Sequence, residues 1–199
     1  AVLQHAVSTD LPFRERLVWF WNNHFTVSGR AGNWVFGLAG PYIHDAIRPH
    51  VTGRFVDLLK AVMRHPGMLT YLDNELSDGP DSPLGLKQHR GLNENLAREC
   101  LELHTLGVNG GYTQADVTAF AAILTGWSTN LDGNNPGFVF KADAHEPGPK
   151  YFMGREFPEG LAGSEAVLDF IAAHPATHRH LATQLVQHFV ADTPPPACV

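Results

Sequence analysis

The stretch Gly91–Gly107 sets Glu94, Arg98, Glu99 and Glu102 into a run that otherwise reads as an amphipathic helix. Ionic side chains on such a helix are either solvated or held for proton transfer or binding, because burying them unpaired is costly. At ~100° per residue, Leu92, Leu96, Leu103 and, at the edge, Cys100 form one apolar stripe, and Glu99 falls inside it. Asn95, Glu102 and Leu106 border Glu99, whereas His104 projects ~140° away on the same count. The run therefore predicts one buried acid rather than a ligand cluster. A second polar residue sits on an apolar face at His24, between Phe13, Leu17 and Phe20.

Two buried polar groups lose least free energy when they meet, so Glu99 and His24 are expected to converge in one site, with Arg98 orienting the acid. Such a pair suits acid or base catalysis of a hydrolysis: burial raises the Glu99 pKa, a protonated His24 lowers it, and the larger effect fixes the role. The competing reading satisfies each group separately, by backbone or by Arg98, Asn22 or Asn23. Asn93 and Asn95 either cap the helix or, with Glu102, contact substrate, and the positive helix end could hold an anion. His145 and Lys150 lie in His145-Glu-Pro-Gly-Pro-Lys150, too rich in Pro and Gly for helix, where they are either solvated or placed for substrate.

Twelve histidines raise the question of a metal, yet no His-x-x-x-His pair with a neighbouring Glu and no Cys pair at ligand spacing occurs. A set drawn from distant segments, His24, Glu99, Glu102 and His145, is the remaining arrangement, while His174, His178 and His180 read as solvated. Trp19, Phe20, Trp21, Phe25 and Trp34 are expected to pack the interior, with a sugar-binding groove as the alternative. Ser28 and Ser128 lack a nucleophile-elbow context, so acyl-enzyme chemistry has no support.

The elements that must position these groups are helical. Pro12 opens a helix running to about Val27, Gly29 to Asn33 breaks it, and further helices are expected near 41–50 and over Phe55, Leu58, Leu59 and Val62, ending at His65-Pro66-Gly67. Residues 77–91 read as an exposed loop feeding the motif helix. Thr113 and Asp116 form a capping box for a helix over 114–127, and closing helices are expected near 164–173 and 176–190. Between them, residues 128–163 read as a long irregular Gly/Pro-rich insertion, with one alternating segment, Gly137–Lys141, of strand character. The fold class is thus an all-α, bundle-like assembly with one irregular insertion, a single domain or part of one.

A net charge of -6 with 14 basic residues and no Lys/Arg cluster argues against nucleic acid. No apolar run approaches membrane-spanning length. Cys100 and Cys198 diagnose neither a disulfide framework nor a zinc site, and no cofactor is indicated. The chain opens on Ala1 and ends in Asp192–Val199 just after a helical pattern, so it is expected to be an excerpt of a longer protein.

The segments Arg16–Ser28, Leu69–Asn74, Gly91–Gly107, Gly110–Val117 and Thr125–Trp127, in this order, resemble the bacterial "domain of unknown function 1800" family, and His145–Lys150 and Phe189–Asp192 extend the likeness over nearly the whole chain. Cys100 departs from the aliphatic residue expected there. The resemblance implies an interior part of a longer, mostly helical, periplasmic or secreted protein, often accompanied by an alkaline-phosphatase-like companion. It names no reaction. Two functions follow as expectations: a hydrolase-like enzyme on an envelope or polysaccharide ligand, with Glu99 and His24 central, or a non-catalytic binding or assembly module working with a companion enzyme. A cleft reaching Glu99 would favour the first, and a sealed, fully hydrogen-bonded Glu99 the second.

Overall fold

The computed structural model describes residues 8–29, 33–130 and 137–199. Helix α1 (Pro12–His24) starts with a proline in its first turn, where the missing N–H costs nothing. Helix α2 (Asn33–Pro41) runs straight into a π-helical turn, Tyr42–Ile47, and α3 (Phe55–Arg64) is separated from α4 (Pro66–Tyr71) by His65 alone. The His65 ring caps α4, its Nδ1 accepting the Gly67 N–H at 3.0 Å. The expected loop 77–91 contains a short helix, α5 (Pro83–Gln88), capped by the Ser82 hydroxyl. With only six residues, it is too short to leave a periodic signature.

The motif helix is α6 (Asn95–Glu99), continued by a π-helical turn, Cys100–His104. The hydroxyl of Thr105 donates to the Cys100 carbonyl at 2.6 Å, closing this wider turn from the side-chain side. Helix α7 (Gln114–Leu124) carries the expected capping box, with Thr113 and Asp116 each satisfying the other's backbone N–H.

Beyond α7 the chain forms antiparallel hairpins. Strand β1 (Trp127–Asn130) pairs with β2 (Gly137–Phe140), placing Trp127 opposite Phe140, and β3 (Lys150–Phe152) pairs with β4 (Arg155–Phe157), placing Lys150 opposite Phe157. Trp127, expected at the end of a helix, is therefore a strand residue. Helix α8 (Gly160–Ala172) begins inside the expected insertion, and α9 (Pro175–Phe189) closes the chain, its first amides capped by His174 Nδ1, which accepts from Ala176 at 3.2 Å.

The architecture is mostly α, as expected. One contiguous apolar core runs from Val18, Phe20 and Trp21 of α1 through Leu58, Leu59 and Val62 of α3, Leu96, Cys100 and Leu101 of the motif segment, Phe120 and Leu124 of α7 and Trp127, to Val167 and Ile171 of α8 and Leu181 of α9. The motif helix packs on α7, and its Ala97 and Cys100 are buried. No helix among the described residues is long and apolar enough to cross a membrane.

Candidate functional site

The motif segment carries two separate polar groupings, one along its outer face and one at its C-terminal end. On the outer face Arg98 stands one turn from Glu94 and one from Glu102, a spacing that brings all three side chains together. Its guanidinium donates to Glu94 at 2.8 Å and to the side-chain amide oxygen of Gln114, Oε1, at 2.9 Å, with Glu102 farther at 3.4 Å. Glu94 also accepts from the Thr118 hydroxyl at 2.6 Å and from the Gln114 amide at 2.9 Å. The Thr118 hydroxyl, then Gln114 and Arg98, hold its carboxyl below the usual range despite partial desolvation.

Glu99 stands outside this ladder. It is half-buried, not a core residue, and among the described residues no hydrogen bond reaches its carboxylate. Burial, and secondarily the charge of Glu102, raises its pKa. Arg98 thus serves Glu94 and Gln114 and does not orient Glu99, and Glu94, which spacing alone could have nominated, is the acid with the most partners. The buried face of the motif segment is set by Leu96, Ala97, Cys100, Leu101 and His104, while Leu103 is 53% exposed.

His24 meets the C-terminal end of the same segment. Its Nε2 lies 3.0 Å from the His104 carbonyl oxygen, and His180 of α9 places Nε2 3.0 Å from the preceding carbonyl, that of Leu103. A carbonyl only accepts, so both rings carry their proton on Nε2 and act as latches on successive helix-end oxygens. The ring of His104 lies 5.8 Å from that of His24 and 5.0 Å from that of Phe25, and His180 lies 6.1 Å from His24. Burial depresses the pKa of His24 to about 4, partly offset by its bond to the His104 carbonyl, and burial together with the charge of His24 depresses that of His104 to about 3. His104 Nδ1 is buried without a hydrogen-bond partner among the described residues. His24 is therefore joined to His104, and no hydrogen bond joins it to Glu99. His104, set aside on the wheel, is the buried residue.

The Pro/Gly loop forms a third grouping. His145 is buried; its Nδ1 lies 2.8 Å from the Thr125 carbonyl, and its Nε2 accepts the Gly160 N–H at 2.8 Å, which fixes the neutral Nδ1–H tautomer. Desolvation lowers its pKa. Lys150 is also buried, donating to the Glu146 carbonyl, with Nζ 3.4 Å from His145 Nε2; burial lowers its pKa against the opposing pull of Glu146 and Glu159. Neither is the solvated residue that the loop composition allowed. Asn93 accepts the Asn95 N–H at 3.0 Å and donates to the Asp73 carbonyl at 3.3 Å, which is a local turn, while the Asn95 side chain faces solvent.

Among the described residues no group of three or more His, Cys, Asp or Glu is arranged to hold a metal ion, so His24, Glu99, Glu102 and His145 do not assemble as a ligand set. Phe20, Trp21 and Phe25 are core residues, as packing predicts; Trp19 is 43% exposed, and the Trp34 side chain lies outside the described residues. His24 takes the backbone partner that the competing reading allowed it, and sequence reasoning missed how general this use of histidine is. His24, His65, His145, His174 and His180 all bond main-chain groups. The readable signals were the two His-Pro dipeptides, His65-Pro66 and His174-Pro175, each just before a helix.

No curated protein and no solved structure matches the chain. A family model described as "Protein of unknown function (DUF1800)" matches residues 1–199. With that match covering its whole length, the chain belongs to the DUF1800 family.

Proposed function

We propose that this chain is a non-catalytic binding or assembly module of an extracytoplasmic bacterial protein, working beside a companion enzyme of the alkaline-phosphatase-like kind that the family resemblance implies. One observation carries the reading: the groups with the chemistry for catalysis spend their hydrogen bonds on holding the chain. His24 and His180 latch carbonyls, both nitrogens of His145 are engaged by backbone, Lys150 donates to a carbonyl, and Arg98 is shared by Glu94 and Gln114. A general base needs a free lone pair within reach of a substrate proton; His145 has none to spare, and the lone pairs left on Nδ1 of His24 and His180 belong to rings pinned to helix-end carbonyls.

Glu99 is not the sealed, fully hydrogen-bonded acid expected of a module, and a hydrolase-like reading rests on it alone. A carboxyl that is half-buried, raised in pKa and free of hydrogen bonds among the described residues has the properties of a general acid. Glu99→Gln separates the two. Burial and Glu102 disfavour the charged form, so the folded pKa is raised and stability is lost as pH rises through it; removing the charge leaves the melting temperature at pH 7 unchanged or slightly higher. The protein is assayed against chromogenic glycosides and esters before and after the substitution. No turnover in either form fits the module; turnover abolished by Glu99→Gln at an unchanged melting temperature would sink it.

A further inference from the structure

We infer that the groove between α1 and α9, lined by Pro12, Glu15, Arg16, Trp19 and His188, binds an acidic glycan, an inference that rests on the module reading and supplies its ligand class. The groove encloses about 440 Å³, within the ordinary range for small-molecule sites. Trp19 is 43% exposed, although its neighbours Phe20 and Trp21 are core residues. Such exposure of an indole in a concave site supplies a flat apolar platform with a polar edge. Pro12 adds to the apolar surface, which makes up most of the lining, and the polar groups are few and placed at its sides and floor. Glu15 is 4% exposed and its carboxylate is already occupied by Arg48 through both oxygens, so its charge is neutralised from below. Arg16 is exposed, its guanidinium 5.8 Å from the Phe189 ring centroid, and no carboxylate pairs with it among the described residues. His188 is exposed and packs edge-on to Phe20 and Phe189.

A neutral pair below, an unpaired guanidinium and an imidazole at the sides, and an indole face give a site for a ligand with a flat C–H surface, a hydroxyl rim and a negative charge. A pyranose uronic acid has all three: its C–H face stacks on Trp19, its carboxylate takes the fork of Arg16, and its hydroxyls meet His188. A peptide fits less well. An extended peptide needs unpaired backbone groups in a row, and both walls are helices whose backbone is internally bonded; an amphipathic helix needs an apolar trough several turns long, and along α1 this groove runs only from Pro12 to Trp19, about two turns.

The test titrates the protein with a trimer of galacturonic acid and with the uncharged trimer of galactose, by calorimetry at pH 7. The acidic trimer is expected to bind more tightly, and to weaken with added salt as a partly exposed ion pair does. Trp19→Ala should weaken both trimers about tenfold or more, equivalent to ~1.4 kcal/mol, while Arg16→Gln should remove only the preference for the acid. Unchanged melting temperatures show that the variants are folded. Equal binding by the protein and by Trp19→Ala overturns the assignment to this groove while leaving the module reading in place. Failure of the protein to bind either trimer overturns the glycan inference, and the module reading then stands or falls on Glu99→Gln. Protection of Trp19 from acrylamide quenching, read as the difference between the protein and Trp19→Phe, would mean that another segment fills the groove, and also overturns it.

Discussion

Acid should loosen this fold well above the pH at which carboxylates protonate, and His24 and His104 set the size of the effect. Both imidazoles titrate near 6.5 when unfolded, whereas in the folded chain burial holds them to about 4 and about 3. Between those values the unfolded chain takes up protons that the folded chain refuses, so stability is fully present above pH 6.5 and falls as pH drops, by about 1.4 kcal/mol per unit per histidine once below it. From pH 7 to pH 5 the two together account for about 4 kcal/mol, a large part of the ~5–15 kcal/mol that holds a typical domain. His65 and His145, also lowered by burial, act in the same direction, so the diagnostic is a difference between proteins and not the slope alone. Urea unfolding by circular dichroism at pH 7, 6 and 5 is compared with that of His24→Gln/His104→Leu. Gln keeps an N–H for the His104 carbonyl, Leu fills the buried site, and neither titrates. The double variant should lose about 4 kcal/mol less than the parent between pH 7 and 5. An identical pH dependence in both proteins would refute the burial argument.

Two further substitutions probe the end of the motif segment. Thr105→Val removes the hydroxyl that donates to the Cys100 carbonyl and strands that oxygen in the core, which should cost about 1–3 kcal/mol by urea unfolding with no change in helical content. Gly107→Ala meets two obstacles, a positive φ of 77° and a new Cβ 2.9 Å from His180 Nδ1; a destabilisation of about 1–3 kcal/mol is expected, with a shift in the His180 ring resonances in NMR as its latch on Leu103 is displaced.

The helical skeleton was legible because its ends are written in local chemistry. Pro12 at the start of α1 and the Thr113/Asp116 box before α7 specify termini without reference to the rest of the chain. The strand character of Gly137–Phe140 was also readable, but its partner, Trp127–Asn130, was not: Trp127 continues the apolar pattern of α7, Ser128–Asn130 show no alternation, and only pairing makes them a strand. At the site the difficulty was choosing a face. Leucines drew the stripe toward Leu92 and Leu103, yet the buried face lies farther round the axis on Ala97, Cys100, Leu101 and His104. That error moved Glu99 inward and His104 outward. The spacing of Glu94, Arg98 and Glu102 was plain in the sequence, whereas Gln114 and Thr118, which complete the ladder from α7, become neighbours only in the tertiary structure.

The two carbonyl latches also set an order of assembly. His24 precedes its oxygen by 80 residues and is already made when His104 appears, but His180 follows Leu103 by 77. At synthesis rates of roughly 5–20 residues per second, that gap is about 4–15 s. During it the motif segment comes to be held by α1 and then α7, while its Leu103 carbonyl waits for the His180 ring. A chain stalled in α8 would therefore carry an unfinished helix end in its middle until α9 is made.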